Sequence, residues 1–405
     1  MAGRVAPYID NTGLVFAYDL ANVNRSYLGE PTVNYCSADS NLVANIDCST
    51  ANATAVLPSR DIGTVRRVTV VADTYGGIIR ASLTHNLPSS GIPQAGQSYT
   101  ISCWIRNSSG VAVAAGWEPE VGQPDGYLRP NVESGFNGNY AASSQPNTLS
   151  SNWTRVSYTY SYTSTQTSQI IPFIYFGHPV GGSGSGIGAT IDFYQIQIEV
   201  KSHATPYTTG TRSVTQGLKD LTGRSTIDLS NVSFDSSAQM TFDGTDDYIN
   251  LGSSDNWKIG QNGTIEAVVR REAAVSTNHR LWCVYNNSSH LDTYIDAATG
   301  GLYMHGGTVG TNTQVPLNQY LHIIVRYESG NITIWYNGVS QSLTGTTSGY
   351  NINGTSYTEL FLGRYVSSSG YRWAGAYPIF RLYNRALTAS EIQQNFNAVR
   401  GRYGI

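Results

Sequence analysis

The sequence predicts an all-β protein made of β-sandwiches or jelly rolls, with one short helix at the C-terminus. Three observations lead there. Most segments are short, rich in Val, Ile, Thr and Tyr, and bounded by Gly, Asn, Ser or Pro, which is the signature of strands. Helical periodicity is nearly absent, so the strands are joined by turns and not by crossover helices. Charged residues make up 13% of the 405 positions, against about 25% in an ordinary soluble domain, while Gly 42 and Tyr 28 are abundant. Such a chain stays soluble through hydroxyls and amides.

The strand-like segments run in order through residues 65–71, 98–106, 153–161, 170–176, 190–200, 263–271, 320–327, 331–336 and 379–383. Asn337-Gly338 supplies the positive-φ residues of a tight hairpin turn, and the Val/Ile/Trp alternation on either side gives one buried face. The helix starts at Thr388-Ala389-Ser390-Glu391, a capping box in which hydroxyl and carboxylate reciprocally satisfy backbone N–H groups. Ile392, Phe396 and Val399 then form one apolar stripe. Residues 31–209 hold most of the prolines and two long loops, at 116–138 and 177–188; residues 210–405 form a tighter series of strands. The Gly/Ser run at 180–188 is flanked by strand-like sequence and reads as a loop within a domain. The length favours two or three domains.

Composition also excludes functions. Lys+Arg 24 against Asp+Glu 27 gives a net charge of −3, so no basic excess exists to grip phosphates, and a nucleic-acid partner is not expected. Met1–Pro7 carries no apolar signal region, and no apolar run approaches the roughly 18–20 residues of a membrane span. Synthesis in a cytoplasm is therefore expected. Cys36, Cys48, Cys103 and Cys283 form no CxxC pair, which removes zinc and thioredoxin-like redox chemistry. Cys103 and Cys283 sit in apolar strands as small core residues. Cys36 and Cys48 are spaced to bridge a loop, but a reducing cytosol weighs against it.

Several segments of the second half resemble, in order, the laminin-G/concanavalin A-like lectin superfamily, in the form common in bacteriophage virion proteins. They are residues 242–249 (an early strand and turn), 263–269 (a core strand), 321–327 with 332–339 (a hairpin ending in Asn-Gly), 360–364 and 380–388. Residues 13–22, with Ser26-Tyr27 and Gly29, look like the opening strand of the same domain, whose continuation resembles residues 217–223. The resemblance thus implies an insertion. Residues 1–30 give an N-terminal arm and first strand, 31–209 an inserted domain, and 210–405 the remainder of the lectin-like domain. Insertion is tolerated where two chain ends lie close at a surface loop. The inserted part resembles a carbohydrate-binding-module-like jelly roll, on residues 96–105, 153–156 and 191–199, with an exit at 204–213. The fold class is therefore two β-sandwich or jelly-roll domains, one inserted in the other.

Enzymatic readings fare poorly. Glycanases on concanavalin-like sandwiches carry Glu-x-Asp-x-x-Glu, which is absent; Glu266 and Glu272 are too far apart for a carboxylate pair at the ~5–10 Å that hydrolysis needs. No nucleophile elbow occurs, and the Gly-rich run at 181–188 lacks the Lys and helix start of a phosphate loop. Calcium is the one cofactor the resemblance implies, with Asp192 at a ligand-like position. Asp243, Asp246 and Asp247 read more easily as turn formers, and Tyr377-Pro378 stands where the family often has an acidic pair. Aromatic residues in polar loops are the sharpest binding signal: Trp117, Tyr127, Phe136 and Tyr140 in the insert, and Tyr365, Tyr371 and Trp373 near the end of the lectin-like domain. Sugar rings stack on such faces; the competing reading is that these rings cover the core rim or make subunit contacts.

The expectation is a non-enzymatic bacteriophage virion surface protein, decorating capsid or tail and adhering to host glycans, with other virion proteins and copies of itself as partners. The alternatives are a receptor-binding tail protein recognising host polysaccharide, and a polysaccharide hydrolase.

Overall fold

The computed structural model describes residues 9–35, 46–47, 52–59, 63–70, 78–81, 95–110, 114–123, 126–128, 150–161, 170–178, 188, 190–252, 261–272, 278–285, 290–304, 308–348, 358–365 and 371–405. The chain divides into two compact units. One comprises Met1–Pro31, Ser213–Asp235 and Gln239–Ile405; the other comprises Thr32–Arg212 with Ser236–Ala238. No helix among the described residues is long and apolar enough to cross a membrane.

The first unit is a sandwich of two antiparallel sheets. Strand Ala374–Tyr383 lies near the middle of the eight-stranded sheet. It pairs with Gly263–Arg271 on one side, and with Met240–Asp243 and Leu14–Asp19 on the other. Beyond Gly263–Arg271 come Tyr320–Glu328 and Asn331–Tyr336. The seven-stranded sheet runs Ile249–Asn250, Glu359–Leu362, His279–Tyr285, His290–Ile295, Gly301–Met304, Val309–Gln314, Leu343–Gly345. Side chains from the facing sides of both sheets share one core, including Phe16, Tyr18, Ile265, Phe380, Trp282, Ile295, Leu302 and Leu362.

Strand Tyr320–Glu328 shows how the sequence encodes this. Ile323 and Val325 enter the inter-sheet core, whereas Ile324 packs with Ile392 of the C-terminal helix, Ala389–Tyr403. The strand is covered on both faces, so its sequence is nearly continuous in apolar residues rather than alternating. The helix has both halves of its capping box. Thr388 Oγ1 accepts from the N–H of Glu391 (3.3 Å), and the Glu391 carboxylate accepts from the N–H of Thr388 (2.7 Å).

The broken first unit closes through local pairing. The N–H groups of Leu28 and Gly29 both donate to the carbonyl of Gly217 (2.8 and 3.3 Å), and Leu221 donates to Ala17 (2.7 Å). The two chain passages into and out of the second unit also pair, Thr32–Val33 against Thr211–Arg212.

The second unit holds two five-stranded antiparallel sheets. The first is ordered Thr154–Ser161, Ser98–Asn107, Thr190–Glu199, Gly63–Val70, Asn52–Ser59. The second is ordered Ile46–Asp47, Ile78–Ala81, Ile170–His178, Ala114–Gln123, Gly126–Leu128. Here the expectation of a long loop over 116–138 is corrected for residues 116–123 and 126–128, the rest of it lying outside the described residues. Strand Ala114–Gln123 pairs along Ile170–His178, and Gly126–Leu128 folds back on it. Its Gly, Pro and Glu content hid a strand that the apolar partner at 170–176 stabilises. Cys103 and Cys283 are buried, and burial pushes the Cys103 thiol far up. Cys36 and Cys48 lie outside the described residues.

Candidate functional site

The seven-stranded sheet turns one face into the inter-sheet core and the other away from it, where Arg280, Asp292, Tyr294 and Phe361 are themselves buried. Val284, Ile295, Leu302, Met304, Leu360 and Leu362 point inward. Strand alternation sends Arg280, Asp292, Tyr294, Tyr303 and Phe361 to the opposite face, and the register sets them side by side: Arg280 opposite Tyr294, and Tyr294 opposite Tyr303. The rings of Tyr294 and Tyr303 stack with centroids 6.1 Å apart. Tyr303 in turn lies over Gly310, where any Cβ would collide with the ring.

Arg280 is the centre of this face. Its guanidinium carbon lies 4.1 Å from the Tyr294 ring centroid, 5.0 Å from Tyr365 and 4.9 Å from Tyr371. A charge so placed is attracted by the electron-rich ring faces. Asp292 neutralises it at 3.1 Å. Tyr365 and Tyr371 meet edge to face at 6.0 Å and are held together by the Tyr365 N–H on the Tyr371 carbonyl (3.2 Å). The three phenols facing this charge differ in cover: Tyr294 is buried, while Tyr365 and Tyr371 are half-buried. Burial pushes the Tyr294 and Tyr365 phenols above their ordinary value, with the Asp292 charge adding to it. Both therefore stay neutral hydrogen-bonding groups at ordinary pH.

A second arginine–aromatic group adjoins it in sequence. Arg364 lies over Tyr248 (4.2 Å) and Phe361 (4.5 Å), and Arg372, its cross-strand partner, over Tyr248 (5.6 Å). Burial and then the charge of Arg364 lower the Arg372 guanidinium.

The sequence-predicted site residues separate accordingly. Tyr365 and Tyr371 are brought together at Arg280. Trp373 is corrected: it is fully buried, packed on His279 (5.7 Å) and Tyr377 (6.2 Å), and offers no face to a sugar. Its indole belongs to the inter-sheet core because strand Ala374–Tyr383 enters the sheet immediately after it. Trp117 and Tyr127 lie in strands and not in a loop. Tyr140 and Phe136 lie outside the described residues. Arg280, Tyr294 and Tyr303 were not singled out from the sequence. Tyr294 and Tyr303 carry a signal, an aromatic residue next to apolar Ile295 and Leu302 in alternating strands, but Arg280 carries none, because the register of its strand shifts between Arg280 and Trp282.

Asp192 is corrected as a calcium ligand. Its carboxylate is buried and accepts from Arg67 Nε and Nη2 (2.5 and 2.8 Å) and from Arg106 Nε (3.0 Å). Burial alone would raise its pKa; the two guanidiniums outweigh this and lower it. Two cations on one carboxylate leave no place for a third. The carboxylate oxygens of Asp243, Asp246 and Asp247 lie within 4.8 Å of one another. Asp247 accepts from the N–H and hydroxyl of Ser233 and from the N–H of Asp243, and Asp243 accepts from the N–H of Thr245. These are the bonds of turn formers.

Glu266, the strand carboxylate weighed for glycan hydrolysis, is sealed beneath the helix. It contacts Arg381 (2.5 Å), His322 Nε2 (3.0 Å), the Tyr383 hydroxyl (3.2 Å) and Asn395 (2.8 Å). Burial opposes its charge, but Arg381, His322 and Asn395 overcome that and hold its pKa at about 2. Glu272 is exposed and paired with Arg270.

Solved structures to which this chain is similar in part include Trypanosoma rangeli sialidase in complex with 2,3-difluorosialic acid (14% identity, TM-score 0.37, 45% of this chain and 30% of that one). They also include domain 4 of AbnA, an extracellular arabinanase from Geobacillus stearothermophilus, in complex with arabinotriose (14%, 0.37, 46% and 93%). A third is the CBM40 of a Ruminococcus gnavus sialidase bound to sialyllactose (15%, 0.29, 34% and 83%). The chain thus spans less than a third of the sialidase it resembles. No curated protein sequence matches. Residues 243–393 match the family model of the Concanavalin A-like lectin/glucanases superfamily, so this part of the chain is a laminin-G/concanavalin A-like lectin domain.

Proposed function

We propose that this protein is a non-enzymatic surface protein of a bacteriophage virion, and that it holds host glycans on the outer face of its seven-stranded sheet. The observation that carries the glycan part is Arg280 framed by Tyr294, Tyr365 and Tyr371. Half-buried tyrosines present an apolar ring for the C–H face of a pyranose and a hydroxyl for its oxygens, the mix of flat apolar walls and few fixed polar groups that ligand sites use. The non-enzymatic part is supported by Glu266 and Glu272, both engaged by arginines and one of them sealed from solvent. The virion part rests on the sequence resemblance to phage lectin-type domains.

Mass spectrometry and cryo-electron microscopy of purified particles test the virion role. Density at regular sites on the shell or tail tube fits a decoration protein, and density confined to the tail tip fits a receptor-binding protein. Absence from the particle would contradict the proposal and return attention to a hydrolase, which a turnover assay on host polysaccharide would detect.

A further inference from the structure

The second unit carries an arginine–aromatic face of its own. Its central strand Thr190–Glu199 pairs with Ser98–Asn107 and with Gly63–Val70. Ile191, Phe193, Cys103 and Ile105 are buried in the unit's interior. The register puts Asp192 opposite both Arg106 and Arg67, and Tyr194 opposite Trp104, all on the other face. The rings of Trp104 and Tyr194 lie nearly parallel, 14° apart in orientation with centroids 6.2 Å apart. Trp153 meets Tyr194 edge-on at 4.7 Å, and Arg106 covers Trp153 at 4.6 Å. Trp104 and Trp153 are both half-buried.

The backbone is strained beside these rings. Gln195 has φ 53°, a left-handed value that a non-glycine residue rarely adopts inside a strand. The register shifts between Tyr194 and Gln197, so these two, three residues apart, reach the same face. A bulge of this kind re-aims side chains, and strained backbone clusters at functional sites. The chain itself covers the part of this face around Gln197: Thr205 and Thr208 bond to Gln197, and Thr205 and Thr32 bond to Glu199. The part with Trp104, Trp153, Arg106 and Arg67 keeps solvent access, the two arginine side chains being 34% and 33% exposed.

The charge there is unbalanced. Two guanidiniums share the one buried carboxylate of Asp192, which fixes their position and, among the described residues, leaves one positive charge in excess. Each guanidinium carries five N–H donors and no acceptor, in a planar fork that fits a carboxylate. We infer that this face is a second sugar-binding site, separate from the lectin-like domain, which takes a carboxylate-bearing oligosaccharide. The pyranose stacks on Trp104 and Trp153, and its acid group meets Arg106 and Arg67.

The test uses the full chain against immobilised oligogalacturonate, oligomannuronate and oligosialate, with neutral galactan and mannan oligosaccharides of the same length. The expected result is that at least one acidic probe binds about tenfold or more tighter than its neutral counterpart. Trp104→Ala, Trp153→Ala and Arg106→Gln should each weaken that binding by a similar factor, and added salt should weaken it too. Thermal melts of the three variants identify any that fails to fold, and the others then decide. Binding of no acidic probe, equal binding of neutral probes, or unchanged binding in folded variants would overturn the inference. Loss on a Tyr371→Ala chain in place of the Trp104→Ala chain would assign the sugar to the lectin-like domain and overturn it as well.

Discussion

Glu266 lies in strand Gly263–Arg271, whereas Tyr371 lies outside the strands, just before Ala374–Tyr383, and their surroundings ask different things of them. Glu266 is an anion kept charged without water, by Arg381, His322 and Asn395. Its pKa falls from 4.5 to about 2 on folding. The stability this contributes, about 3 kcal/mol by linkage, is complete above pH 4.5 and is lost as the pH falls toward 2. Glu266→Gln would remove that acid-side dependence. It would also leave Arg381 buried without its partner, at a cost of about 3–5 kcal/mol, read from urea melts at pH 7. Tyr371 is half-buried and, among the described residues, joins no buried charge network, so under the proposed function its loss would bear on binding more than on folding. Tyr371→Ala and Tyr365→Ala should each weaken glycan binding about tenfold while shifting the melting temperature little, as paired binding and melting curves would show.

At the scale of the element, the start and apolar stripe of the C-terminal helix are legible in the sequence. Its capping box and stripe are local features; Ile392, Phe396 and Val399 are buried as the stripe predicts, and Asn395, which no local pattern marks, is buried with them against Glu266. Thr388→Ala should cost about 1 kcal/mol in chemical denaturation, since it removes one side of the box. Strands with strong alternation or apolar runs were equally legible, such as Tyr320–Glu328 and Asn331–Tyr336 with its Asn337-Gly338 turn, where φ is 48° and 77°. Strand Ala114–Gln123 was not, because it pairs with the distant strand Ile170–His178. The candidate site was legible only in part. Loop tyrosines 365 and 371 stand out in a Gly/Ser-rich stretch, but Arg280 is chosen by cross-strand register, which single-strand patterns do not reveal. Trp373 and Asp192 show the converse error. A large ring beside a loop and an acid beside a strand look available in sequence, yet burial and two arginines remove them.

At the scale of the molecule, one sandwich is completed by two chain segments separated by a second β unit. Leu28 and Gly29 bond to Gly217, and Asp220 accepts from the N–H of Ala17, so the split edges of the first unit meet within that unit. Replacing residues 32–212 by a short Gly/Ser bridge should therefore leave a cooperatively folding lectin-like unit, seen as one sharp thermal transition with β-type circular dichroism. A non-cooperative melt would mean that the insert is needed for folding. The composition, poor in charge and rich in Tyr, Asn and Thr, suits both sandwiches and both arginine–aromatic faces. The most direct measurement of the central claim is a glycan array probed with the full chain and with its Tyr365→Ala/Tyr371→Ala double variant. Saturable binding to a defined set of host glycans, lost in the folded double variant, is the predicted result. No glycan bound, or the same set bound equally by both chains, would contradict it.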